Sequence, residues 1–322
     1  MSNQADIPKT MKAWISFRAG KPEDVLELKT DWPTPSPPKA GEIMIKVSYV
    51  AINPGDPKMI VKPIPFRKSA IAGMDFAGEV IQVGPSSPTS VPNIRLGMIV
   101  AGTVPIINII GGIGSLAEYL VVPAHAVAEK PNGLQEDAAG ALFGIVGQTS
   151  VILLRAANLQ KGDKVLLNGA SGGVGCILTQ MLCGMGVHVT GICSSKNASL
   201  VHRLGAQESI VSQVVDYTAH KDLYEYLKVD GKYHNIERGP FSFIAQFKFN
   251  HWPVLLGGIP RTYSGVFSNP AGSSAREVVS WFERGCIKEV PIDSVFEMND
   301  ALKAFETIST KRTVGKILIK VK

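Results

Sequence analysis

Val165-Leu166-Leu167-Asn168-Gly169-Ala170-Ser171-Gly172-Gly173-Val174-Gly175 is the stretch whose reading decides the fold. A short apolar run enters a glycine-rich turn, and Cys176-Ile177-Leu178-Thr179-Gln180-Met181-Leu182 carries the chain away from it. A second apolar run follows at Val187-His188-Val189-Thr190-Gly191-Ile192. Short apolar runs of this kind suit buried parallel strands, and the segment between them is long enough for a crossover helix. Residues 165–206 therefore read as strand, turn, helix, strand. Gly172, Gly173 and Gly175 let the backbone turn tightly and approach an anion closely. The helix after them offers free N–H groups and its positive end, which suits a pyrophosphate. A glycine turn alone also occurs where only packing needs small residues, and Ala170 stands where the usual fingerprint has its first glycine. Its place between two strands favours the dinucleotide reading, with Ser171, Gly172, Gly173, Val174 and Gly175 as the cradle.

The end of the second strand bears on which dinucleotide is meant. An acid here would accept from a ribose 2′-hydroxyl. This chain instead has Cys193-Ser194-Ser195-Lys196-Asn197, with no acid before Glu208. Two hydroxyls and an ammonium suit a 2′-phosphate, so Ser194, Ser195 and Lys196 point to NADPH. The alternative makes Ser194 or Asn197 only the N-cap of the next helix, and both roles can hold together.

With 322 residues, 45% of them hydrophobic, the chain can bury one large core or two ordinary ones. Its net charge of +6 is spread without a long basic run, and no basic cluster interleaves with aromatics, which argues against a nucleic-acid partner. The four cysteines, 176, 183, 193 and 286, form no CxxC pair and read as small buried hydrophobes in a reducing compartment. The start of the chain lacks the layout of a signal peptide, and no uninterrupted apolar run reaches membrane-spanning length. The expectation is a soluble, cytoplasmic protein with no membrane partner.

Residues 11–130 are mostly β-prone. Runs at 11–16, 42–50, 76–83, 98–101 and 117–123 are separated by Pro and Gly punctuation. From Gln135 a helical pattern takes over, and the change of period places a domain boundary near residue 126. Toward the C-terminus, 276–284 and 299–308 read as helices, and 291–296 and 315–321 as strands.

Several motifs then match a known family in order. They are Ala51-Ile52-Asn53-Pro54-Gly55-Asp56, Gly73-Met74-Asp75-Phe76-Ala77-Gly78-Glu79-Val80, Gly114-Ser115-Leu116-Ala117-Glu118-Tyr119, the turn at 169–175, and Gly315-Lys316-Ile317. Over nearly its whole length the chain resembles the medium-chain dehydrogenase/reductase superfamily, in its zinc-independent quinone oxidoreductase and enoyl reductase branch. The resemblance implies an α/β fold. A Rossmann-type doubly wound parallel sheet (126–285) is inserted in a mostly β GroES-like catalytic domain (1–125 plus 286–322). It also implies that a small-molecule substrate binds in the cleft between them.

Zinc-dependent members place Cys where Asn53 stands and His where Met74 stands, and neither replacement is a good zinc ligand. The six histidines show no pair at ligand spacing, so no metal is expected. What remains feasible is hydride delivery to an electron-poor acceptor, a quinone or an α,β-unsaturated carbonyl. By resemblance Asn53 is a polar contact near the nicotinamide, and Thr149 lies near it too. Tyr217 flanks the 2′-phosphate with Lys196, unless it is an ordinary half-buried aromatic. Residues 59–69 contain no tyrosine to protonate an enolate, which leaves water or Lys58; Lys58 reads equally as an exposed surface lysine. Asp56 is a turn cap or a site residue on even terms.

One departure from the family stands out. Only residues 216–230 separate the third strand, near 209–215, from Gly231-Lys232-Tyr233-His234-Asn235-Ile236, which resembles the fifth. That stretch is too short for a helix of about 11 residues, a strand of about 5 and their loops. The parallel sheet is therefore expected to lack its fourth strand, leaving a gap or unpaired edges beside the first. A non-catalytic cofactor-binding relative, or a shortened gene product without activity, is the rival to a working reductase. Residues 263–267 offer a candidate edge strand for a homodimer.

Overall fold

The structure, a computed structural model, describes residues 7–61, 64, 67–85, 93–211, 227–237, 242–258, 260–267 and 269–322. Two compact units make up the chain. The first comprises Met1–Gly147, Pro270–Glu283 and Val290–Lys322; the second comprises Gln148–Asn269 and Arg284–Glu289.

The first unit is built on the strand Glu42–Ile52, whose Ile, Val and Met residues are buried along almost its whole length. Asp75–Val83 pairs along one edge of it. Along the other edge Tyr119–Pro123 pairs with residues 42–46 and Lys316–Lys320 with residues 49–52, both antiparallel. Ile292–Glu297, Ile99–Thr103 and Val127–Glu129 complete a seven-stranded sheet, and Thr10–Ser16 joins Leu26–Pro33 and Ala70–Ile71 in a smaller one. Ile43, Ile45, Phe76 and Leu120 lie fully buried in the core between these elements. Burying such side chains out of water, roughly 1.5–3 kcal/mol each, is the main drive toward this packing.

The division between units at Gly147 falls later than the change of sequence period near residue 126. The helix Glu136–Leu142 packs on Glu42–Ile52 and Asp75–Val83, with Gly140 close enough to Ala77 that an added Cβ would lie 3.2 Å away. Gly272–Glu283 also belongs to the first unit. Gly272 sits against the His125 carbonyl, and Arg276 donates to the carbonyls of His125 and Val127 at 3.0 Å. A helical period in sequence does not say which sheet the helix will cover.

In the second unit three parallel strands lie in the order Glu208–Val211, His188–Cys193, Lys164–Asn168, and Gly173–Gly184 is the crossover helix. Lys232–Glu237 and Thr262–Phe267 form a separate two-stranded parallel sheet. The helix Ser242–His251 packs on it, with the Asn250 amide bonded to both N–H and carbonyl of Tyr263. Among the described residues Lys164–Asn168 pairs only with His188–Cys193, and residues 212–226, where the fourth strand of the family would fall, lie outside them.

Cys176 and Cys193 are buried, whereas Cys183 and Cys286 are only partly so; all four are free thiols. Among the described residues no single helix is long and apolar enough to cross a membrane. The bent pair Glu136–Leu142 and Ile145–Ala157 has the length and composition, but most of its residues are buried within the fold.

Candidate functional site

In the second unit, Gly169 takes a φ of 75°, a left-handed conformation that glycine adopts without strain. The chain then reaches Gly172, the N-cap of Gly173–Gly184, which makes no side-chain capping bond. The N–H groups of the first helical turn have no acceptor within the helix, and no acidic side chain stands in that turn. Gly175 is needed for close approach: a Cβ there would lie 2.7 Å from Ala170 Cα and would overlap the Gly169 carbonyl oxygen. The result is a cluster of open amides at a positive helix end, which fits a dinucleotide pyrophosphate.

The side chains around the turn tie it to its neighbours. Asn197 Nδ2 donates to Ser171 Oγ at 3.1 Å, joining the turn to the segment after the second strand. Ser194 and Asn197 do hold N-cap positions, of Ser195–Asn197 and Ala198–Arg203, but neither side chain makes a capping bond. Asn197 spends its amide on Ser171 instead. Ser195 and Lys196 are exposed on the short helical turn Ser195–Asn197, and Ser194 is half-buried. The turn Ser195–Asn197 itself contains no acid. On Ile145–Ala157, Thr149 is buried next to Ser150, whose hydroxyl reaches the Val174 carbonyl at 3.5 Å. Tyr217 lies outside the described residues.

The first unit holds a second polar constellation, buried in the core. Asn53 is 2% exposed; its Nδ2 donates to Asp75 Oδ2 at 2.7 Å and to the Ala51 carbonyl at 3.2 Å. Its Oδ1 accepts from Lys316 Nζ at 2.7 Å. Lys316 also donates to the Ile52 carbonyl and lies 3.6 Å from Asp75 Oδ2. Asp75 accepts from Thr103 Oγ1 at 2.8 Å and from the backbone N–H of Ile145 at 3.0 Å, at the start of a helix, where a carboxylate is favoured. Asp56 Oδ2 accepts the Asn53 backbone N–H at 2.6 Å, closing the turn, while its Oδ1 is buried and has no partner among the described residues. Burial first, and Asp75 second, push the Asp56 carboxyl up to about 7; burial pushes the Lys316 ammonium down, against the pull of Asp75 and Asp56. Lys58 stands exposed on the short helix Asp56–Val61.

The donor set does not fit zinc. An ammonium already sits against Asn53 Oδ1, the Asn53 amide nitrogen is a donor, and the Met74 side chain is packed in the core. Among the described residues no group of three His, Cys, Asp or Glu side chains comes together to hold a metal.

Asp75 and Lys316 lie within motifs visible in the sequence, yet neither stood out as a site residue. The available signal was an acid inside an apolar β run and a lysine ahead of Ile317-Leu318-Ile319, two charges placed where only mutual pairing makes burial tolerable.

Comparison with known proteins agrees with both halves. Residues 39–132 match the alcohol dehydrogenase GroES-like domain, and residues 192–319 match the zinc-binding dehydrogenase domain. A medium chain reductase of Acremonium sp. is 30% identical, the match covering 98% of this chain and 100% of the relative. That alignment runs over 375 positions against the 322 residues of this chain, so at least 53 positions have no residue here. A trans-enoyl reductase of Penicillium oxalicum is 28% identical over 97% of this chain and 98% of its own. Among solved structures, the quinone oxidoreductase from Coxiella burnetii superposes with a TM-score of 0.80 at 24% identity, covering 97% of this chain and 99% of that one. A mycobacterial protein solved with NADPH gives 0.74 at 21% identity, covering 97% and 100%. The structural matches share the fold, and the full-length match to the Acremonium reductase sets the family: this chain belongs to the medium-chain dehydrogenase/reductase superfamily.

Proposed function

We propose that the chain is a zinc-independent, NADPH-dependent reductase that delivers hydride to an activated acceptor, an α,β-unsaturated carbonyl or a quinone. The observation that carries this reading is the Lys316 ammonium 2.7 Å from Asn53 Oδ1, in the place where a zinc enzyme needs a ligand. A donor set that does not hold zinc lacks the superfamily's usual means of activating an alcohol, but it can serve an acceptor that is already electron-poor. The similarity to a trans-enoyl reductase supports the same acceptor class.

When bound, the dihydronicotinamide supplies the hydride. The chain's part is to bind and orient. The open amides of residues 173–175 receive the pyrophosphate. Ser194, Ser195 and Lys196 receive the 2′-phosphate, with Tyr217 proposed beside them. Thr149 lies toward the nicotinamide, and Asn53 keeps the polar network in register. Lys58 or solvent provides the proton that follows the hydride. Free thiols support a reducing, cytoplasmic setting, and the strand Thr262–Phe267 is a proposed homodimer edge.

A second reading, a cofactor-binding protein without catalysis, is favoured by one observation: only residues 216–230 separate the third strand from the one resembling the fifth, too few for the family's helix and fourth strand. Titration of the purified protein with NADPH and with NADH, followed by intrinsic fluorescence, tests the cofactor claim. Tighter binding of NADPH supports it. A folded sample that binds neither overturns it.

A further inference from the structure

Asp56 is 2% exposed and uses one carboxyl oxygen, Oδ2, on the Asn53 N–H. The other oxygen, Oδ1, is buried and meets no protein donor among the described residues. A buried polar atom left in this state costs about 1–3 kcal/mol, so something is expected to satisfy it. Beside Asp56 the first unit encloses a cavity of about 20 Å³. That is room for one water molecule, which needs upward of about 10–15 Å³. The walls include Met59, Gly73, Met74 and Ile109, and Arg67 lines the cavity as well. Arg67 donates to the carbonyls of Met59 and Ile109, the second at 3.5 Å, and a guanidinium carries five N–H groups in all. The cavity thus has a polar group of each kind, an acid oxygen and a multiple donor, within an apolar lining.

Charge balance bears on the state of the acid. The groups facing Asp56 inside the core are Asp75 and Lys316, with Arg67 lining the cavity. Lys316 is paired with Asp75, which also collects the N–H and O–H groups of Asn53, Ile145 and Thr103. Among the described residues Asp56 is hydrogen-bonded by Asn53 alone. Asp75 is supported as an anion by Lys316 and by several N–H and O–H donors, whereas Asp56 has only Asn53 as donor, so Asp56 is the carboxyl whose charge costs more to bury.

We propose that the cavity beside Asp56 is a built site for one water molecule, held by Asp56 Oδ1 with the carboxyl in its neutral form. The water completes the hydrogen bonding of Asp56, and the retained proton leaves Lys316 paired with Asp75. The proposal is independent of which acceptor the protein reduces.

Two measurements test it. A crystal structure of the wild-type protein grown near pH 6, at a resolution that defines ordered water, is expected to show one water within hydrogen-bond distance of Asp56 Oδ1. A dry cavity would overturn the proposal. Infrared titration of the protein labelled with ¹³C at the Asp carboxyls is expected to show a protonated carboxyl band that disappears as the pH rises through neutrality. That band should be missing from Asp56→Asn, which preserves the shape of the neutral acid. A band lost already near pH 4, or one that persists in Asp56→Asn, would overturn the assignment.

Discussion

Lys316 Nζ lies 2.7 Å from Asn53 Oδ1 and 3.0 Å from the Ile52 carbonyl, so the last strand of the chain is locked to the end of the central strand by one buried ammonium. Asp75 balances that charge from the neighbouring strand at 3.6 Å. The substitution Lys316→Met keeps the length of the side chain and removes the ammonium. It leaves Asp75 buried without its cation and is expected to destabilise the protein by about 3–5 kcal/mol. Urea unfolding of the variant checks this, and a loss below about 1 kcal/mol would contradict the network.

The nucleotide half makes a separate prediction. Lys196→Ala removes an exposed cation from the turn after the second parallel strand, and is expected to weaken NADPH by about tenfold, about 1.4 kcal/mol, while NADH is unaffected. Parallel titrations with the two nucleotides read this directly. Equal affinities of wild type and variant for NADPH would remove Lys196 from the 2′-phosphate site.

Gly175→Ala tests the cradle itself. The new Cβ would meet Ala170 and the Gly169 carbonyl, backbone atoms that cannot swing aside as a side-chain tip can. The turn must open, so nucleotide binding is expected to be lost, with about 1–3 kcal/mol of stability. Calorimetry beside the titrations separates the two effects.

The pH dependence of stability follows from Asp56. Its carboxyl is pushed from an ordinary 3.8 up to about 7, so the folded protein keeps a proton that the unfolded chain releases. Stability from this group is full below about pH 4 and is lost as the pH rises through about 7. Urea midpoints measured across that window should fall with rising pH in the wild type. Asp56→Asn, which cannot titrate, should show a flatter profile.

How much of this was legible in the sequence differs between the two halves. The turn at 169–175 was readable because its chemistry is local: glycines, a strand before and a helix after fix where the amides point. The shortness of residues 216–230 was readable too, and most of that stretch lies outside the described residues. The core network was not legible. Asn53 and Lys316 are 263 residues apart, and only the pairing of Ile317 with Ile52 brings them together. Gly272–Glu283 shows the same limit. Its helical pattern was clear, but the contact of Gly272 and Arg276 with His125 and Val127, which sets the unit it joins, is long-range.

The most direct test of the account is steady-state oxidation of NADPH by chelator-treated protein, offered enones, enoyl thioesters and quinones in turn. The account predicts turnover of at least one of these acceptors, unchanged by chelation and faster with NADPH than with NADH. A protein that binds NADPH yet reduces none of them, or whose turnover disappears with the chelator, would contradict it.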